Sequence, residues 1–344
     1  MSTAQNQQKK QFNPQRKTSF EAPAVEKRMR RLRRTSGLRD LVRETVIRPD
    51  DFILPAFVEE NLDSPAAIST MPGVYRQTEK TIGAMAQEAY QSGVKAMMLF
   101  GVSHNKDNIG SDAMTHDGLL YRMINRVKES CPEMTVIADT CFCEYTDHGH
   151  CGVLEQNGDV NNDRTLENLG TQAIIAADAG ADMIAPSAMM DSMVETIRAA
   201  LDQNGYEQTP IMSYSSKFAS NFYGPFREAA GCSLGKGNRK TYQMDPANAR
   251  EALLESALDE AEGADILMVK PGMPYLDILS KIKEQTLLPV AVYQVSGEYA
   301  MIKLAGEAGA IDEKAVMMES MLAFKRAGAD LILSYGAVDI ARSL

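Results

Sequence analysis

Eight short apolar runs recur along the chain, each followed by a stretch of helical character, and this repetition narrows the possible folds more than any other feature. The runs are Phe52–Val58, Val94–Gly101, Met134–Thr140, Ala181–Ser187, Pro210–Ser216, Ala264–Lys270, Pro289–Ser296 and Ala329–Tyr335. They are nearly continuous rather than alternating, the pattern of parallel strands covered on both faces. Amphipathic segments separate them, among them Glu79–Ser92, Leu166–Ala179, Ser192–Asn204, Asn248–Glu262 and Glu313–Arg326. Several close on Gly-Ala-Asp, at Gly180, Gly263 and Gly328, where glycine can take the left-handed conformation that ends a helix. Eight strand–helix units predict a (β/α)8 TIM barrel of the α/β class. No G-x-G-x-x-G follows the first run, so two dinucleotide-binding halves fit less well. The expected organisation is a barrel over residues 36–344 behind an extended N-terminal arm, residues 1–35, which is polar and lacks apolar periodicity.

Charge is divided unevenly between these parts. Up to Arg48 there are thirteen Lys or Arg and only Glu21, Glu26, Asp40 and Glu44 as acids, a balance of +9, which leaves −19 for the rest of a chain of net charge −10. A basic arm on an acidic body could bind nucleic acid or dock on another copy of the same chain. No Gly-rich or aromatic element is interleaved with the arm's arginines, so neither nucleic acid nor membrane is expected as a partner. No run reaches the ~18 apolar residues of a membrane helix. The first twenty residues lack the apolar core of a secretory signal, and a cytoplasmic enzyme is expected. Their Lys, Arg and Ser without acid would also suit an organelle transit segment.

In a barrel of this kind, chemistry gathers at the C-terminal strand ends. Lys270 closes the sixth run and Lys217 follows the fifth. Neighbouring strands lie ~5 Å apart, so the two amines can share a pocket. Like charge and desolvation then depress a lysine pKa and leave a neutral amine that attacks ketones. Alternatively, each lysine pairs with a carboxylate, or one of them binds a phosphate. Asp139, Ser187, Ser296 and Tyr335 end other runs. Arg227 and Arg239 lie in a segment after the fifth run that is long for a barrel loop and reads as a lid; their forks suit a substrate carboxylate.

Three of the five cysteines crowd together as C-x-C-x7-C, at Cys141, Cys143 and Cys151. In a chain with no export signal this points to metal or thiol chemistry rather than to disulfides. Three thiolates suit zinc with a fourth position left open, the arrangement of a catalytic site. His148 and His150 are candidate fourth ligands, and Cys131 and Cys232 read as ordinary small residues.

At these residues the chain resembles the porphobilinogen synthase (5-aminolevulinate dehydratase) family from about Arg30 to the C-terminus. The resemblance rests on SSKFASNFYGPFREAAG around Lys217, MVKPGMPYLDI around Lys270, YQVSGEYAMI around Ser296, and the cysteine segment. It implies a hydro-lyase that condenses two 5-aminolevulinate molecules to porphobilinogen, an early step of tetrapyrrole (haem, chlorophyll, cobalamin) biosynthesis. By that resemblance Lys270 forms a Schiff base with the substrate that becomes the propionate side. Ser296 and Tyr335 would hold its carboxylate, and Asp139 and Ser187 its amino group. Lys217 would hold the second substrate, with Arg227, Arg239 and Gln243 on its carboxylate. It further implies catalytic zinc on Cys141, Cys143 and Cys151, allosteric magnesium at Glu255, and a homo-octamer whose arms wrap neighbouring barrels. Asn238, where the family more often has Asp, and Ser192, where Gly is common, depart from its pattern. A one-lysine aldolase-like barrel would differ in cleaving one substrate rather than joining two. A thiol-based sensor would differ in binding nucleic acid in a salt-dependent way.

Overall fold

The computed structural model describes residue 20, residues 22–232, residue 234 and residues 237–344. The chain divides into two units, Met1–Glu44 and Thr45–Leu344. Of the first, residues 1–19 and 21, which belong to the expected arm, lie outside the described residues. The described part contains a 3-10 turn, Met29–Arg33, and a short helix, Ser36–Leu41, whose first turn is capped by Thr35 accepting from the Leu38 N–H at 3.2 Å. None of its described residues is buried.

In the second unit eight parallel strands follow one another: β1 Phe52–Glu59, β2 Ala96–Val102, β3 Thr135–Thr140, β4 Met183–Pro186, β5 Met212–Lys217, β6 Ile266–Lys270, β7 Val290–Tyr293 and β8 Leu331–Leu333. Their order is β4-β3-β2-β1-β8-β7-β6-β5. The two ends of that order meet where Ile184 bridges Ile211 in parallel, with the Ile184 N–H donating to the Pro210 carbonyl at 3.0 Å. The expected (β/α)8 barrel is therefore the observed fold. Each of the eight apolar runs coincides with a strand, the bounds differing by no more than three residues at either end. A short antiparallel ribbon, Ala66–Ala67 with Tyr75–Gln77, is added beside the end of β1.

The longer helices are α1 Ile82–Gln91, α2 Leu119–Ser130, α3 Asn162–Asp178, α4 Met193–Gln203, α5 Ala249–Ala261, α6 Leu276–Gln285, α7 Ser296–Glu307 and α8 Glu313–Ala327. The Gly-Ala-Asp repeats do two jobs at the barrel floor. Gly328 ends α8 at φ +111°, and Gly180 and Gly263 are likewise left-handed. Each following Asp then stitches its strand to the one before. The Asp182, Asp265 and Asp330 carboxylates accept from the Val136, Ile211 and Val290 N–H groups at 2.7, 2.8 and 2.7 Å. Lys128 and Lys283 neutralise the first and last of these carboxylates.

Towards the C-terminal strand ends the interior becomes aromatic. Phe57 is fully buried, with ring centroids 5.5 Å from Phe100, 5.7 Å from Phe226 and 6.0 Å from Tyr335. Phe57→Ala removes a ring that three others pack on and should cost about 3–5 kcal/mol. Gly328→Ala should cost about 1–2 kcal/mol for the left-handed backbone. Urea unfolding should accordingly show a much larger drop in midpoint for the first variant than for the second.

Candidate active site

Strand pairing sets the site. Lys217 and Lys270 end β5 and β6 and are direct register partners. A β-bulge between Ser213 and Ser216 makes this possible. With regular alternation from Tyr214, Lys217 would point out of the barrel and fall opposite the residue after Lys270; the extra residue restores both aim and register. The serines of the bulged stretch are held by α5. Ser213 donates to Asp259 at 2.6 Å, and Ser216 bonds the Ala252 carbonyl at 3.1 Å and Ser256 at 3.0 Å.

Both lysines are buried. The Lys270 ammonium position lies 4.3 Å from the Tyr293 ring centroid, 4.8 Å from Tyr214, 5.0 Å from Phe226 and 5.5 Å from Tyr223. Burial first, and then the charge of Lys217, bring its pKa down to about 7. Lys217 moves the other way. Burial pulls it down, but the thiols of Cys151, Cys141 and Cys143, with Asp139, outweigh that and raise it. A dication among those thiols would offset this pull. Lys217 donates to the Ser187 carbonyl oxygen, and the Ser187 hydroxyl bonds Asp139 Oδ2 at 3.1 Å. Burial raises the Asp139 pKa against the opposing pull of both lysines.

The cysteines form a compact group. The sulfur atoms of Cys141, Cys143 and Cys151 all lie within 4.8 Å of one another, are buried, and are free of disulfides. Buried thiols brought together in this way suit a thiophilic metal ion. Neither candidate histidine joins the group. His148 accepts from the His150 N–H at 3.1 Å and contacts the Asn108 carbonyl at 3.3 Å, while His150 Nδ1 bonds the Tyr242 hydroxyl at 3.1 Å. Cys232, read from the sequence as an ordinary small residue, is buried against Cys143. That contact, opposed by burial and helped by Arg239, lowers its thiol to about 6. Its partner lies 89 residues away in sequence, so no local spacing marks it.

The long segment after β5 covers the lysines. It carries the short helix Gly224–Ala229, and Phe226 packs on Phe57 and on Phe100 at 5.4 Å. It returns beside β5, where the Met244 N–H donates to the Lys217 carbonyl at 3.2 Å. Arg227 Nε, Arg239 Nε and Gln243 Nε2 are buried donors with no partner among the described residues. Three unpartnered donors on one segment are the complement of an anion.

Lys217, Lys270, Ser187, Cys143 and Arg239 line one small cavity. Ser296 lies past the end of β7 as the first residue of α7, not in a strand. Its hydroxyl accepts from the Phe226 N–H at 2.9 Å and contacts the Phe222 carbonyl at 3.3 Å. Tyr335 lies two residues past β8, its hydroxyl 3.0 Å from that of Tyr293. Glu255 is elsewhere. With Asp191, Glu251, Asp259 and Gln243 it lines a polar cavity of about 340 Å³, where burial and then Asp259 raise its carboxyl to about 7. One further residue went unnoticed in the sequence. Glu144 also lines the lysine cavity; burial, then Asp139, raise it to about 8. Its place directly after Cys143 was the available signal.

Comparison with known proteins agrees with this geometry. The family model described as delta-aminolevulinic acid dehydratase matches residues 26–343. The Escherichia coli delta-aminolevulinic acid dehydratase is 58% identical over 314 residues, covering 91% of this chain and 96% of that protein. The Synechococcus elongatus protein of the same name is 52% identical, covering 92% and 98%. The crystal structure of the Toxoplasma gondii enzyme, in complex with the reaction product porphobilinogen, superposes with a TM-score of 0.91 at 44% identity, covering 93% of this chain and 92% of that one. A barrel with two paired strand-end lysines, matched over nearly its whole length, places this chain in the delta-aminolevulinic acid dehydratase family.

Proposed function

We propose that this chain joins two molecules of 5-aminolevulinate into porphobilinogen with loss of two waters, by a Schiff-base mechanism centred on Lys270. The observation that carries this reading is the direct pairing of two buried lysines at adjacent strand ends. Two amines suit two ketones, and Lys270 is the better nucleophile because its pKa is brought near neutrality. Asp139 and Ser187, already bonded to each other, would take the first substrate's amino group, and Ser296 and Tyr335 its carboxylate. Lys217 would hold the second substrate, with Arg227, Arg239 and Gln243 turning their unpartnered donors to its carboxylate. Fixing both substrates in one closed site removes the entropic barrier to a bimolecular coupling. The direct test is incubation with 5-aminolevulinate, zinc and a thiol reductant, followed by assay for a pyrrole.

The residues that would hold zinc are Cys141, Cys143 and Cys151, and their buried, reduced, clustered thiols fit it. Zinc bound there would supply a Lewis acid beside the second substrate. Glu255, in its acidic cavity, is the proposed allosteric magnesium residue. Residues 1–35 are proposed as an arm that docks on an adjacent barrel in a cytoplasmic homo-octamer, drawn there by its basic charge. No described helix is long and apolar enough to cross a membrane.

Borohydride with 5-aminolevulinate should trap an adduct on Lys270, at a rate that rises with pH through about 7 as the free amine forms. Lys270→Ala should stay folded and lose turnover, and trapping in Lys217→Met should need a higher pH because one of the two depressing causes is gone; full turnover of Lys270→Ala would sink the mechanism.

Joint replacement of Cys141, Cys143 and Cys151 should remove tightly bound zinc, read by elemental analysis. Glu255→Gln should instead keep the zinc and lose any stimulation by magnesium.

Deleting residues 1–34 removes no proposed catalytic group, yet should lower both assembly size, by light scattering, and activity. A truncated chain that remained octameric and fully active would make the arm a passive tail.

A further inference from the structure

We propose that Arg76 and Glu228 are positioning residues for the second substrate: they pin the short helix Gly224–Ala229 over the site and so hold Arg227 within reach of that substrate's carboxylate. The inference rests on the reading above, in which Arg227 meets that carboxylate. The helix has six residues, too few to persist alone in water, so its place depends on what holds it. Its inward residue is Phe226, which lines the lysine cavity and packs on Phe57 and Phe100. Arg227 comes next, its buried Nε without a partner among the described residues.

The two ends of the helix are held from different places. Ser296 holds the first turn, its hydroxyl accepting from the Phe226 N–H at 2.9 Å. The last turn is held from the antiparallel ribbon beside β1. Arg76 Nε donates to the Ala229 carbonyl at 2.8 Å and Arg76 Nη2 to the Glu228 carbonyl at 2.6 Å, at the helix end where intrahelical donors run out. The remaining nitrogen, Nη1, bonds Glu59 at 3.1 Å and fixes the plane of the fork. In return the Glu228 carboxylate accepts from the Ser69 and Thr70 hydroxyls at 2.6 and 2.7 Å. The ribbon that supplies these groups is itself anchored. Arg76 pairs in register with Phe57, Ile68 and Met71 are buried, and the Tyr299 hydroxyl donates to the Pro72 carbonyl at 2.9 Å. The described lining of the lysine cavity includes neither Arg76 nor Glu228, so any effect of theirs on turnover passes through the helix. Misplacing a substrate-holding group by about 1 Å is enough to cost on the order of 100-fold.

The experiment is a double-mutant cycle read in the kinetics of pyrrole formation. Arg76→Gln should raise the KM for 5-aminolevulinate about 10-fold, the usual loss for hydrogen bonds to a charged group, and leave kcat within about twofold. Arg227→Ala should raise KM at least as much. Arg76→Gln added to Arg227→Ala should raise it little further, since nothing is then left to position. Arg76→Lys, which keeps the charge and one donor at a time, should recover part of the loss. Glu228→Gln, and Ser69→Ala with Thr70→Ala, approach the same contact from the exposed side and carry the test if Arg76→Gln does not fold. Both should raise KM by about 3-fold with an unchanged thermal midpoint. Borohydride trapping of 5-aminolevulinate on Lys270 should persist throughout, because the first substrate makes no use of Arg227. Unchanged KM in the folded variants, additive losses in the cycle, or equal loss of Lys270 trapping would each overturn the proposal. Failure of the underlying reading would look different: the unaltered protein would make no pyrrole, or Arg227→Ala alone would leave KM where it was.

Discussion

Two buried amines on paired residues are the constraint around which the rest of this barrel is arranged. Parallel pairing of β5 with β6 holds Lys217 opposite Lys270, and backbone hydrogen bonding keeps the pair together against the repulsion of like charges. The surroundings divide the labour between them. Aromatic rings enclose Lys270 and exclude the water that would stabilise its charge, while Asp139 and the thiols lie on the side of Lys217. Two residues of the same type thus acquire different chemistry from position alone, one suited to attack and the other to holding charge.

The site keeps polar atoms unmet that a stability-driven interior would pair. Donors on Arg227, Arg239 and Gln243, and acceptors on Asp139 and Glu144, are buried without partners among the described residues. Each costs on the order of 1–3 kcal/mol. The barrel floor offsets such losses with the opposite arrangement, where Asp182, Asp265 and Asp330 each satisfy a strand N–H. Stability is concentrated at the N-terminal end of the strands and reactivity at the other, the usual division in this architecture.

The acidic cavity and the lysine cavity have no lining residue in common but are linked by hydrogen-bonded neighbours. Asp259 lines the former with Glu255 and accepts from Ser213 on the bulged strand that ends in Lys217. Gln243 lines the acidic cavity too, and its neighbour Met244 bonds the Lys217 backbone. Two short, bonded routes thus connect the lining of the acidic cavity with Lys217, one along α5 and β5 and one along the covering segment.

The sequence by itself determined the barrel, because eight near-continuous apolar runs joined by amphipathic segments have few other ways to bury both faces. It also placed Lys270 at a strand end and grouped Cys141, Cys143 and Cys151, since these depend on local spacing. Register and long-range contact were decided only in the tertiary structure. The bulge that turns Lys217 inward depends on α5 holding the β5 serines, and no pattern within the strand specifies it. Ser296 and Tyr335 lie beyond their strands because the ladders stop at Tyr293 and Leu333. Cys232 meets Cys143 because the segment after β5 folds back over the barrel mouth, and Glu144 shares a cavity with the two lysines because β3, β5 and β6 end at one rim of the barrel. Local periodicity records which face of an element is buried; what that face meets is set by the closure of the barrel.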